Sequence, residues 1–294
     1  MSTQSYYVPH QSRWPILASL SLFLMAIGAG GYINSLGKEE VSGFSGFSLL
    51  IGALFLAAIL VGWFRNVIKE SMAGMYSDQM DKSFRWGMSW FIFSEVMFFA
   101  AFFGALFYVR NLAVPWLGGE GEKGISNMLW QGFEAQWPLM STPDMETFPG
   151  PKEIIDPWHI PLLNTVLLLS SSVTVTLAHH ALRKNKRDAI VIWLAATILL
   201  GAVFVYFQAE EYVVAYEELG LTLHAGIYGA TFFILTGFHG LHVTLGTFML
   251  LVIWVRVMRG HFNPDHHFGF EAVSWYWHFV DVVWVGLFLF VYIL

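Results

Sequence analysis

Seven apolar runs dominate the chain, each close to the length needed to cross hydrocarbon. They cover roughly Pro15–Leu36, Phe44–Phe64, Arg85–Val109, Ile160–Ala178, Ala189–Phe207, Leu223–Val255 and Glu271–Leu294. A bilayer core of ~30 Å takes about 20 helical residues. Within lipid every backbone N–H and C=O needs a partner from its own segment, so each run must be a helix. The expected fold is therefore all-α: a polytopic membrane protein with seven transmembrane helices. It is read as one integral membrane domain over 1–294. Composition agrees, since 56% of the residues are hydrophobic and only 12% are charged, about half the share in soluble domains. There is no cysteine, which excludes disulfides and cysteine-ligated metal centres. The polar first fourteen residues carry no basic n-region with a cleavage site, so no cleaved signal peptide is expected.

The fourth run is the least apolar because of its "SSSVTVT" stretch. Serine and threonine there are expected to bond back to their own helix or across to a neighbour. The one long connection, residues 110–159, is proline-rich and is expected to cover the outer surface.

Lysine and arginine set the orientation. With the N-terminus inside, the inner segments hold Arg13, Arg65, Lys69, Lys82, Arg85, Arg183, Lys184, Lys186, Arg187, Arg256 and Arg259. The outer segments hold only Lys38, Arg110, Lys123 and Lys152. Acids concentrate on the outer side: Glu210, Glu211, Glu217 and Glu218 in one expected loop, and seven more between Glu120 and Asp156.

Ionisable groups at membrane depth are the candidate functional residues. Glu95 in "WFIFSEVMFF" lies ~15 Å beyond Arg85 along a helix. A charged acid there costs several kcal/mol, so it must find a partner or take up a proton. His239 and His242 share a face at i, i+3. Spacing alone permits haem or copper ligation by them, with His278, His179 or His180 opposite, but hydrogen bonding across a helix interface is the commoner use. In the last run Glu271, Trp275 and His278 fall at i, i+4 and i+7, with Asp281 three further on. This polar seam must face protein, and His278 and Asp281 are expected to satisfy each other, with His239 and His242 as partners. At the inner face, Lys69, Arg256 and Arg259, near Glu70, His266 and His267, suit phospholipid head groups. Trp63 and Phe64 suit the tails. Composition and motifs give no sign of nucleic-acid binding.

The stretch "HHFGFEAVSWYWHFVDVVW" resembles the C-terminal signature of the subunit III family of haem–copper cytochrome c oxidases. So, in family order, do "SRWPILASL", "WFRNVIKES", "RWGMSWFIFSEVMFFAAFF", "IPLLNTVLLLSSSVTVTLAHHAL" and "GATFFILTGFHGLHVTLGTF". The resemblance covers nearly the whole chain. It implies a two-helix and a five-helix bundle split by a phospholipid-filled cleft. It implies no haem, copper or other metal and no catalytic residue in this chain, those centres belonging to partner subunits. The buried family acid maps onto Glu95. The implied role is indirect: contact with subunit I, with subunit II in the same complex, support of proton uptake, and longer catalytic life. The complex would be a proton-pumping oxidoreductase that takes electrons from cytochrome c and reduces oxygen to water. Alternatives are a proton-translocating membrane protein and a quinol-oxidase subunit III. The implied location is a bacterial inner membrane, N-terminus cytoplasmic and C-terminus periplasmic, ahead of the mitochondrial inner membrane. Asn66, Tyr76 and His159 depart from the family's usual residues, and nearby lipid contacts are the least transferable.

Overall fold

A computed structural model describes residues 7–8, 11–35 and 43–294. Leu36, the end of the first run, and Lys38 lie outside the described residues. Among the described residues there is no strand, and seven helices are long and apolar enough to cross a membrane. They are α1 (Trp14–Ser35), α2 (Gly43–Met72), α3 (Asp78–Tyr108), α4 (Ile160–Arg183), α5 (Arg187–Glu217), α6 (Gly226–Met258) and α7 (Phe268–Leu287). Helix α3 continues through a π turn, Val109–Ala113, and a short helix, Val114–Leu117; α7 ends in a π turn, Phe288–Ile293.

Among the described residues each apolar run is helical except the start of the sixth, where residues 223–225 form a turn ahead of α6, and several helices outlast their runs. Hydropathy marks what lipid tolerates, whereas Lys, Glu, Gln and Arg are good helix formers that carry the backbone ladder beyond it. The largest extension is at the end of α5, which runs to Glu217 instead of Phe207. Glu210, Glu211 and Glu217 are therefore helical and not in a loop, and Glu211 is buried.

The chain divides between Phe84 and Arg85 into two compact units. In the first, α1 and α2 lie antiparallel and close together. Gly28 is required there: a β-carbon on it would sit 2.4 Å from the Leu49 backbone nitrogen. Ser21 and Ser48 donate across the pair to the Gly52 and Leu24 carbonyls at 2.8 and 2.9 Å.

In the second unit, α4, α5, α6 and α7 form a ring in which each packs on the next and α7 closes on α4. Helix α7 is the most enclosed: 56% of its most apolar stretch is buried, against 11% for α1. Trp277 and Trp284 are fully buried at its centre. Within α6, Gly246 permits close approach, since a β-carbon there would lie 2.9 Å from the Trp277 ring. Gly237 and Gly240 meet only ordinary contacts at 3.5 and 3.9 Å. Helix α3 joins through rings: Phe91 on Tyr276, Phe98 and Phe102 on Phe238, Phe99 on Phe279, and Phe103 on Phe290. Bulky rings hold it by their faces and edges without close backbone approach. Arg187 reaches across to donate to the Met258 carbonyl at 2.6 Å, satisfying an orphan acceptor at the end of α6.

The 110–159 connection is an ordered cover. Its Phe133 and Leu139 enter the core, Trp137 meets Tyr228 edge-on, and the Lys152 N–H donates to the Leu219 carbonyl at 2.9 Å.

Candidate functional site

The polar residues of the second unit gather in separate clusters around α7. The first pairs Glu95, roughly midway along α3, with His242 on α6 at 3.0 Å. His242 donates from Nδ1 to the Phe238 carbonyl, which can only accept, at 2.6 Å. One further proton must then lie between Nε2 and the Glu95 carboxylate, whichever group formally carries it. Glu95 thus has the partner that its depth demanded. Rings of Phe98, Phe99 and Tyr276 surround His242.

His239 is fully buried, and its Nε2 faces the Val280 carbonyl at 3.2 Å, with Trp284 and Phe204 against the ring. One imidazole of this pair is engaged with α7 backbone and the other with α3, so the two serve different interfaces.

His278 and Asp281 do not satisfy each other directly, and His239 and His242 are not their partners. Both turn to Ser172 on α4. Its hydroxyl lies 2.8 Å from His278 Nδ1 and donates to Asp281 Oδ2. Thr176 stands 3.4 Å from His278 Nε2. The neighbouring Ser171 and Thr165 accept from the Trp277 and Trp284 indoles at 2.8 and 2.9 Å. The polar run of α4 therefore faces the polar seam of α7. Thr174 of the same run turns the other way, to Thr197 of α5 at 2.8 Å, so the hydroxyls of this less apolar span are shared between two neighbouring helices.

Glu271, in the first turn of α7, pairs with Arg85 of α3. Its other oxygen faces His179 of α4 at 3.5 Å and His267 at 3.3 Å. Trp275 is half-buried beside it. His267, expected at a lipid head group, is instead drawn into this cluster and is nearly buried.

The remaining lipid candidates stay accessible. In the first unit Lys69 is exposed, and the exposed Trp63 and Phe64 stack at 5.6 Å. Tyr76 donates to Glu70 at 2.9 Å, and burial, then this bond, push its phenol well above its usual range. It therefore stays a donor. In the second unit Arg259 and His266 are exposed, and the half-buried Arg256 lies over the Phe262 ring at 4.3 Å. Partial burial, then the charges of Arg256 and Arg259, hold His261 below the usual imidazole range.

Sequence reasoning missed one cluster. Buried Glu211 of α5 accepts from Tyr292 at 2.7 Å and from Gln208 at 3.4 Å. The signal was present: Gln208 and Glu211 stand at i, i+3, which puts two polar groups on one face of a continuing helix.

The model of the family described as cytochrome c oxidase subunit III matches residues 4–123 and 125–294. The chain is similar to cytochrome c oxidase subunit 3 of Prototheca wickerhamii, 39% identical over 293 residues, covering 99% of this chain and 98% of that one. It is similar to the Arabidopsis thaliana protein of the same name, 39% identical over 98% of this chain and 96% of the relative. The human protein of that name is 38% identical over 99% and 97%.

Proposed function

Because the chain belongs to the cytochrome c oxidase subunit III family, we propose that it is the non-catalytic subunit III of a haem–copper oxidase and moves no electrons itself. The complex takes electrons from cytochrome c and reduces oxygen to water, with haem and copper held by partner subunits. This chain packs on subunit I, beside subunit II, supports proton uptake into subunit I and prolongs its working life. One observation carries the non-catalytic reading: the candidate ionisable residues each have a local partner on a neighbouring helix. Glu95 goes to His242, His278 and Asp281 go to Ser172, and Glu271 goes to Arg85. A transporter needs such groups linked along a path, and a haem carrier needs imidazoles aimed at a common iron. The seven spans suit a multi-pass protein of a bacterial inner membrane, and the excess of basic residues at one end supports a cytoplasmic N-terminus and a periplasmic C-terminus.

The test is to compare the purified oxidase with and without this chain. Without it, initial oxygen reduction is expected to persist while activity decays sooner under sustained turnover. Immediate loss of all oxygen reduction on removal would overturn the reading.

Glu95→Gln keeps a hydrogen-bonding group against His242 and is expected to leave most turnover intact. A hydrophobic carbodiimide should label wild-type Glu95 and spare the variant; mass spectrometry of the digested chain reads the difference.

Phospholipid binding is proposed at the basic ends of the two units. Lys69 with Trp63 and Phe64 serves the first, and Arg256, Arg259 and His266 the second, with head-group attraction of about 1 kcal/mol per basic group. Lys69→Ala and Arg256→Ala are each expected to lower the phospholipid retained per purified complex, measured as lipid phosphate. Unchanged retention in both would leave these residues as ordinary membrane-interface anchors.

A further inference from the structure

We propose that His179, His267 and Glu271 form a binding site for one redox-inert divalent cation of the zinc type, at the basic end of the second unit. The site lies apart from the other polar clusters, and nothing in the oxidase role requires it.

The ligand geometry comes first. His179 Nε2 and His267 Nε2 are 3.5 Å apart, and the two stand 3.5 and 3.3 Å from the same Glu271 oxygen, Oε1. These three atoms form a nearly equilateral triangle. Zinc binds imidazole nitrogen and carboxylate oxygen at about 2.0–2.2 Å in a tetrahedron, whose edges are then about 3.3–3.6 Å. The observed triangle is one face of that tetrahedron. His179 is partly exposed, which leaves a fourth position open to water.

The second observation is the orientation of His267. Its Nδ1 faces the Asn263 carbonyl at 3.2 Å. A carbonyl only accepts, so Nδ1 carries a proton and Nε2 is the nitrogen turned toward Glu271 and His179. The centre of the triangle is where a positive charge, a proton or a metal ion, is stabilised by all three atoms. Metal-ligating histidines are held in this way, by donation of the second ring N–H to a backbone carbonyl. Glu271 is fixed similarly, with Oε2 paired to Arg85 and Oε1 left for the imidazoles.

Two nitrogens and one oxygen select a borderline cation over the hard, all-oxygen chemistry of magnesium or calcium. The nearby guanidinium offsets the carboxylate charge, so binding is reversible and not permanent. The ligands come from α4, from the residue preceding α7, and from the first turn of α7. A bound cation would therefore pin the connection between α6 and α7 onto α4.

The experiment uses the full-length chain, purified in detergent without a polyhistidine tag and stripped with a chelator. Zinc chloride is titrated calorimetrically at neutral pH, with magnesium chloride in parallel. One Zn2+ per chain is expected, and no Mg2+. His179→Gln and His267→Gln should each weaken binding on the order of 100-fold, while His224→Ala, altering an exposed imidazole between α5 and α6, should not. X-ray absorption of the zinc-loaded wild type should show two imidazoles and light-atom ligands in the first shell, a readout that needs no variant. Absence of saturable binding, equal binding by both Gln variants, or a first shell lacking the imidazole pair would overturn the proposal.

Discussion

Replacing Trp277 by alanine is expected to lower the stability of the second unit by about 3–5 kcal/mol, the usual cost of deleting a buried large aromatic. The indole is fully buried, lies against Gly246 and donates to Ser171 at 2.8 Å. Its removal opens a cavity where α6 and α7 meet and leaves the Ser171 hydroxyl with only its donation to the Leu168 carbonyl at 2.7 Å. Trp277→Phe keeps most of the volume and is expected to lose mainly the hydrogen bond, about 1 kcal/mol. Trp90→Ala is the control, since that ring is 65% exposed. Thermal unfolding of the detergent-purified chain measures all three. Similar midpoints for Trp277→Ala and Trp90→Ala would contradict a core built around Trp277.

Asp281→Ala is expected to weaken retention of the chain in the oxidase more than it changes turnover per assembled complex. Ser172 sits between His278 and Asp281 and holds both to α4. Removing the carboxyl takes away the acceptor of a part-buried hydroxyl, a loss of about 1–3 kcal/mol. Ser172→Ala should mimic the defect, and the double variant should fall short of additivity because the two share one interaction. Subunit content of the purified oxidase, set beside its oxygen consumption, separates the outcomes. Normal content with lost turnover would point to proton conduction through the seam.

The helices were legible because lipid leaves the backbone no alternative, and the seam on α7 because its i, i+4, i+7 spacing does not depend on neighbours. Its partners were not legible. Both α4 and α6 offered polar groups, and only the spatial order of the ring puts Ser172 and not His242 against Asp281. Serine in a membrane helix also reads as a residue that bonds its own backbone, which hides a role such as that of Ser172. Glu211 was misplaced for a different reason. Hydropathy falls after Phe207, so the acids looked like a loop, yet the backbone ladder continues to Glu217 and turns one of them inward. Likewise Glu95 announced its need for a partner by its depth alone, but which of the family of histidines answered it depended on the aromatic spacing between α3 and α6.

The most direct measurement is capture of this chain, through a removable tag, from membranes of its own cell under mild detergent. Haem–copper catalytic subunits should co-purify in stoichiometric amount, with oxygen reduction by reduced cytochrome c, and the chain separated from them should have no visible absorption band. Capture of the chain without a haem-bearing partner, or a haem spectrum that stays with the isolated chain, would contradict its place as a non-catalytic subunit of the oxidase.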